Sequence, residues 1–232
     1  MFYKFKFFIL TLILISFLSV FWYLQSKPFL DGQDFQATLV TYQGFLSLRY
    51  VTGYYLMIFL PFLYIFFPDI KDIKLIRYKS RLPFFYQRLR KSFFFSLGFS
   101  VILCAIVAIG TSIFFDVSRL INQHFYLAIL FQTIQFTFVY GIISNLSNIL
   151  LDISNNVVIS TVSVVVVFIL LTNIIYFELD YSFFFAEIHL INYVIKNDWL
   201  NFSFLMRLIR ICSMFIITSL ISRYIFLLRD IR

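Results

Sequence analysis

Long runs without a single charge divide this sequence, and they limit what it can become. No Asp, Glu, Lys or Arg occurs in residues 92–115, 120–151 or 153–177, and shorter uncharged runs cover 7–26, 50–68 and 211–222. A helix rises about 1.5 Å per residue, so about 20 apolar residues cross the roughly 30 Å hydrocarbon layer of a bilayer. Charged residues make up 13% of the chain and hydrophobic ones 62%, with a mean hydropathy of +0.93. A soluble domain carries about 25% charged residues. A soluble fold of this size has no interior large enough for that much apolar surface, so the solvent is lipid.

Six spans can be drawn, at about 5–24, 50–67, 92–115, 124–150, 157–177 and 202–228. The expected fold is an all-α integral membrane protein, with residues 1–232 forming one transmembrane domain. The fifth run is rich in Val and Ile, and its length favours helix over strand. Pro61 lies inside the second span and is expected to kink it. Residues 25–49 read as an outer loop, with 35–48 able to form a short interfacial helix. Residues 178–201 mix polar and apolar positions and read as an outer helical hairpin before the last span. Asp152, Asn155 and Asn156 mark a tight turn. Trp22, Tyr23, Tyr176, Tyr181, Tyr193 and Trp199 fall near span ends, as an interfacial aromatic belt does.

The largest polar block lies between the second and third spans, in residues 68–93. It holds Lys71, Lys74, Arg77, Lys79, Arg81, Arg88, Arg90 and Lys91, eight of the 19 basic residues, against Asp69 and Asp72. Short loops rich in Lys and Arg stay on the cytoplasmic side. Both termini then lie inside as well, with Lys4, Lys6, Arg223, Arg229 and Arg232. Lys27, Arg49, Arg119, Lys196, Arg207 and Arg210 fall outside, together with most of the acids. The net charge of +8 is therefore read as orientation and contact with lipid headgroups rather than nucleic-acid binding.

Several chemistries lack their residues. No glycine opens a G-x-x-x-x-G-K-[ST] loop for ATP, and neither H-E-x-x-H nor G-x-S-x-G occurs. His124 and His189 have no acidic or thiol cluster spaced for a metal. Cys104 and Cys212 lie in apolar runs and read as packing residues. No catalytic residue, metal site or cofactor is assigned to this chain. No acid falls in the middle of a span, which argues against proton-coupled transport.

The polar residues that do fall in spans have two readings. Gln132 and Gln135 are three apart on one helix face, and Asn145, Asn148 and Asp152 repeat that spacing nearer the cytoplasm. They either line a translocation path or make interhelical hydrogen bonds, each worth about 0.6–2 kcal/mol. Arg207 and Arg210, one to two turns into the last span, either meet an anionic part of a substrate or pair with Glu178, Asp180, Glu187 or Asp198. Phe93, Phe94 and Phe95 are ordinary packing residues or the lining of a dry gate.

The whole layout resembles the membrane subunit of ABC transporters of the type-2 exporter class. The likeness is to the small permeases found with bacteriocin or peptide export and immunity systems. It is carried by DIKDIKLIRYKSRLPFFYQRLRKSFFFSL at 69–97 and by the position of 178–201 before the last span. No long amphipathic helix precedes the first span, only MFYKFK, and in that the chain departs from the class. The resemblance implies that Arg77, Tyr78, Arg81, Tyr86, Arg88 and Lys91 form a coupling segment that docks on a separate ATPase subunit. It also implies a homodimer or heterodimer of permeases in a bacterial cytoplasmic membrane. ATP and Mg would sit on the ATPase, and the cargo would be a peptide or another amphipathic molecule. Two other classes stay open. One is a membrane immunity or assembly protein that binds a peptide or partner without transporting it. The other is a passive channel or ion-coupled carrier using the Gln132, Gln135, Asn145 and Asn148 face.

Overall fold

The computed structural model describes residues 2–30, 53–67, 81–122, 124–178 and 202–228. All regular structure among them is helical: α1 (Phe2–Leu30), α2 (Tyr55–Phe66), α3 (Arg81–Phe114), α4 (Val117–Asn122), α5 (Phe125–Ser154), α6 (Val157–Glu178) and α7 (Phe202–Leu228). Among the described residues, three stretches are long and apolar enough to cross a membrane: Leu82–Phe114, Phe125–Ser154 and Leu205–Leu228. Phe8–Leu24, Tyr55–Phe66 and Val157–Leu170 are shorter apolar helical stretches. The expected interfacial helix at 35–48, the outer hairpin from 179 on, and the whole 68–80 stretch with its Arg77 and Tyr78 lie outside the described residues.

Two helices are longer than the sequence reading drew them. α1 continues through residues 25–30, where an outer loop was expected. Pro28 removes one N–H from its last turns without ending it. The third span was expected to begin at 92, after a separate basic segment. Instead α3 is one helix of 34 residues from Arg81 to Phe114. Pro83 stands in its first turn, where a missing N–H costs nothing. Only Gly98 and Gly110 weaken the rest, at about 1 kcal/mol each.

The turn between α5 and α6 is made by Asn155 and Asn156. Asn155 adopts φ 54°, and its N–H donates to the Leu151 carbonyl at 2.9 Å. The Asn156 side chain then caps α6 by accepting from the Val158 N–H at 2.9 Å. Asp152 was expected in this turn but lies in the last turns of α5, buried.

Contacts fix the helix directions. Thr11 and Leu14 of α1, Phe66 and Phe67 at the end of α2, and Phe94 and Phe95 of α3 meet at one end of the bundle. At the other end Trp22 of α1 lies 6.2 Å from Phe114 of α3, and Phe21 lies 6.1 Å from Tyr55 of α2, ring to ring. α3 and α5 run antiparallel, joined by Arg88–Asp152 at one end and by Ser112–Tyr126 at the other. α7 returns parallel to α5, with Phe215 against Phe138 and Ser219 against Asn145. With α2 and α6 counted between the longer ones and the short α4 set aside, the helices alternate in direction along the chain, and the start of α1, the start of α3 and the end of α7 share one end.

α5 is the centre. α3, α7 and α6 pack around it, and it is the most enclosed of the three long helices. Its aromatic neighbours Phe59, Phe99 and Tyr140 stack within 4.8–5.3 Å of one another. Lipid tails are as apolar as Leu, so bundles of this kind close by tight packing around small residues. Gly110 is such a point: a Cβ there would lie 2.5 Å from the Trp22 ring. Trp22 is consequently a buried packing residue rather than a member of the expected aromatic belt, whereas Tyr23 is exposed.

Gly110→Ala sets two effects against each other. Helix propensity improves by about 1 kcal/mol, and overpacking costs about 1–3 kcal/mol. A net fall in thermal stability in detergent is expected. In the double variant Gly110→Ala/Trp22→Leu the losses should sum to less than the two singles, since the leucine vacates the space. Strict additivity would mean that the glycine and the indole are not in contact.

Candidate functional site

Arg88 is where the sequence reading and the structure part most sharply. Placed in the docking segment by its sequence, it is 5% exposed and turned into the bundle. Its Nη1 donates to Asp152 Oδ1 at 2.8 Å and its Nη2 to the Asn148 carbonyl at 2.7 Å. The Asn148 amide in turn donates to Ser92 Oγ at 3.3 Å. The Phe226 ring of α7 covers the guanidinium at 5.9 Å. Two i,i+4 pairs, Arg88 with Ser92 and Asn148 with Asp152, thus face each other across α3 and α5, and α7 closes the third side. Arg88 therefore faces the bundle and not the outer surface of the basic segment. Helix geometry explains this: with Tyr86, Gln87 and Arg90 exposed on α3, position 88 falls on the opposite face, toward α5.

The other residues of the segment are spread around the helix. Arg81 begins α3. Tyr86 is exposed, with the Arg223 guanidinium 6.0 Å from its ring. Lys91 is half-buried and places its Nζ 5.9 Å from the Phe67 ring. The exposed basic surface on the described part of α3 is thus narrower than the sequence count suggests.

The four polar residues proposed to line a path divide. Asn145 bonds across to α7, its Nδ2 donating to Ser219 Oγ at 2.8 Å, and Asn148 bonds to α3. These two are interhelical ties. Gln132 is buried on the same helix. Gln135 is fully buried, and neither atom of its amide has a hydrogen-bond partner. The Tyr140 and Ser144 hydroxyls, further along α5, are buried in the same condition. One tie was not foreseen: the Tyr64 hydroxyl of α2 lies 2.7 Å from Ser147 Oγ, which lies 3.1 Å from Ser160 Oγ of α6. Serines in apolar runs gave no signal, because most of the others satisfy their hydroxyls on their own helix, as Ser96 does on the Ser92 carbonyl at 2.9 Å.

Arg207 and Arg210 are half-buried near the start of α7, at the end of the bundle away from Arg88. The acids expected to meet them lie outside the described side chains. Cys104 is buried, Cys212 is half-buried, and both are free thiols. Among the described residues no three His, Cys, Asp or Glu side chains gather as a metal site would require. Phe93 packs on Phe138 and Phe215, and Phe95 on Phe59 and Phe66, while Phe94 is exposed.

No family model, curated protein or solved structure matches this chain.

Removing one partner of a buried pair leaves a charge without its counterion and costs about 3–5 kcal/mol. Arg88→Met is therefore expected to lower the detergent melting temperature sharply, and Arg88→Met/Asp152→Leu to recover part of the loss. A double variant no better than Arg88→Met would show that the pair contributes nothing as a pair. Gln135→Leu should behave in the opposite way to Asn145→Leu. The first removes a buried amide that bonds nothing and raises the melting temperature. The second breaks a tie worth about 0.6–2 kcal/mol and lowers it. A destabilised Gln135→Leu protein would mean that the amide is bonded after all.

Proposed function

We propose that the chain is the non-catalytic transmembrane subunit of an ATP-driven exporter, built from six membrane-crossing helices. It moves a peptide or other amphipathic substrate out of a bacterial cell. ATP and Mg are bound by a separate ATPase subunit, which docks on the basic segment at 77–91. The permease works as a dimer, with itself or with a sister subunit, in the cytoplasmic membrane, with both termini inside.

The observation that carries this reading is the continuity of α3. Its 34 residues span about 50 Å at 1.5 Å per residue, well beyond the roughly 30 Å of hydrocarbon. The excess is the basic end. A force applied to that end passes without a break into the bundle, and Arg88 ties it to the central helix and to α7. A partner that pulls on the basic segment thereby biases the packing of α5. The alternation of helix directions also supports the reading, since it puts the basic segment, the start of α1 and the end of α7 at one end. Gln135 supplies an unspent amide for a polar group of the cargo.

A second reading rests on a different observation. The amide nitrogens of Asn145 and Asn148 are engaged in interhelical bonds and both side chains are buried, so the polar face of α5 is not an open lining. That favours an immunity or assembly protein that binds a peptide or membrane partner without transport.

Purification of the tagged chain from its native cell in mild detergent, with mass spectrometry of what stays bound, separates the two. The exporter reading expects a stoichiometric soluble ATPase, lost in Arg77→Glu/Arg81→Glu/Arg90→Glu while the melting temperature of the chain is unchanged. A chain that emerges alone, or with only a small peptide, overturns it in favour of the binding reading.

A further inference from the structure

α1, α2 and α3 leave an apolar hollow of about 260 Å³ between them, on the side of α3 away from α7. Its walls include Leu14 of α1, Phe66 and Phe67 at the end of α2, and Phe95 and Phe99 of α3. Phe94 and Gly98 stand on its rim and are exposed. A Cβ added at Gly98 would meet nothing within 4 Å, so the space over that glycine is open. Water in such a place needs two to four polar partners, and an apolar cavity of about 150 Å³ already stays dry and takes up benzene. The hollow is larger than that and calls for a hydrocarbon occupant.

The rim at the polar end is cationic. Lys91 precedes Phe94 and Phe95 by one helical turn, and its Nζ lies 5.9 Å from the ring of Phe67, a wall residue. Arg90 beside it is exposed. An apolar slot with an ammonium one turn above it has the shape and charge of a phospholipid: chain below, phosphate above.

We propose that this hollow is a site for one acyl chain of an anionic phospholipid, whose phosphate meets Lys91 at the rim. The lipid packs α1 and α2 against α3 and fills the gap the three helices leave. The hollow is separate from the ion pair, its rim shares Lys91 with the basic segment at 77–91, and the site requires only that α3 crosses a bilayer. The occupant is taken from the surrounding membrane, so entry does not depend on the chain being an exporter.

The test uses the full chain in phosphatidylcholine nanodiscs doped with a phosphatidylglycerol carrying a photoreactive group on one acyl chain. A matched photoreactive phosphatidylcholine serves as the comparison, and labelled peptides are mapped by mass spectrometry. Labelling is expected to concentrate on the segments bearing Phe66, Phe67 and Phe94 to Phe99, with the anionic probe ahead of the zwitterionic one. Gly98→Phe, which fills the hollow, should lose most of that labelling, and the smaller Gly98→Leu part of it. Lys91→Gln should keep the chain labelled but erase the preference for the anionic probe. Equal labelling by the two probes in the unaltered chain overturns the headgroup assignment. Undiminished labelling in both folded Gly98 variants, or a peptide recovered in place of lipid, overturns the site. The comparison of probes on the unaltered chain stands even if a variant fails to fold.

Discussion

A guanidinium and a carboxylate held inside an apolar bundle set the terms for the helices around them. Each ion gives up several kcal/mol of hydration on burial, and only close, directed pairing offsets the loss. Arg88 obtains that pairing from two oxygens on α5, at 2.8 and 2.7 Å. Neither distance survives a slip of α3 along α5, so the pair fixes the register of the two helices. Phe226 over the guanidinium extends the constraint to α7.

The remaining seams are closed by smaller devices. Where lipid replaces water, burying apolar area between helices gains little, and close approach and occasional hydrogen bonds do the work. Gly141 lets the Phe215 ring approach so near that a Cβ there would lie 2.8 Å from it. Asn145 reaches Ser219 one turn further on, and Tyr64, Ser147 and Ser160 link α2, α5 and α6. Gln135, Tyr140 and Ser144, whose buried side chains have no hydrogen-bond partner, occupy the middle of α5, between the Tyr126–Ser112 contact near its start and the ties at Asn145, Ser147, Asn148 and Asp152 nearer its end.

Helix content and the places of most apolar runs were legible in the sequence, because uncharged runs of sufficient length leave few alternatives. The bounds of the last run, 202–228, agree with those of α7. What escaped was what lies on which side of a helix. Arg88 reads as one more cation in a basic stretch, and only the unbroken helix from Arg81 turns it inward. Its partner left a trace: Asp152 is the sole acid between Asp116 and Glu178, and Asn148 stands four residues before it. Reading Arg88 and Ser92 as the complementary i,i+4 pair would have required knowing that α3 begins eleven residues before its apolar part. Trp22 escaped for a similar reason, since its position near a helix end says nothing of Gly110 opposite. The division of the four amides is tertiary too, because composition cannot tell a bonded Asn145 from an unbonded Gln135.

The two-residue turn at Asn155 and Asn156 bears on how such a chain enters a membrane. α5 is the least apolar of the three long helices and the most enclosed, so alone in lipid it would expose amides and a carboxylate to hydrocarbon. α6 follows with no room for a loop and carries no charge before Glu178. The two are joined as a helical hairpin, and the polar face of α5 is covered by α3, α6 and α7. Chain order adds to this: α3 precedes α5, so Arg88 is made before Asp152. The later carboxylate thus joins a chain that already carries its counterion, sixty-four residues earlier in sequence.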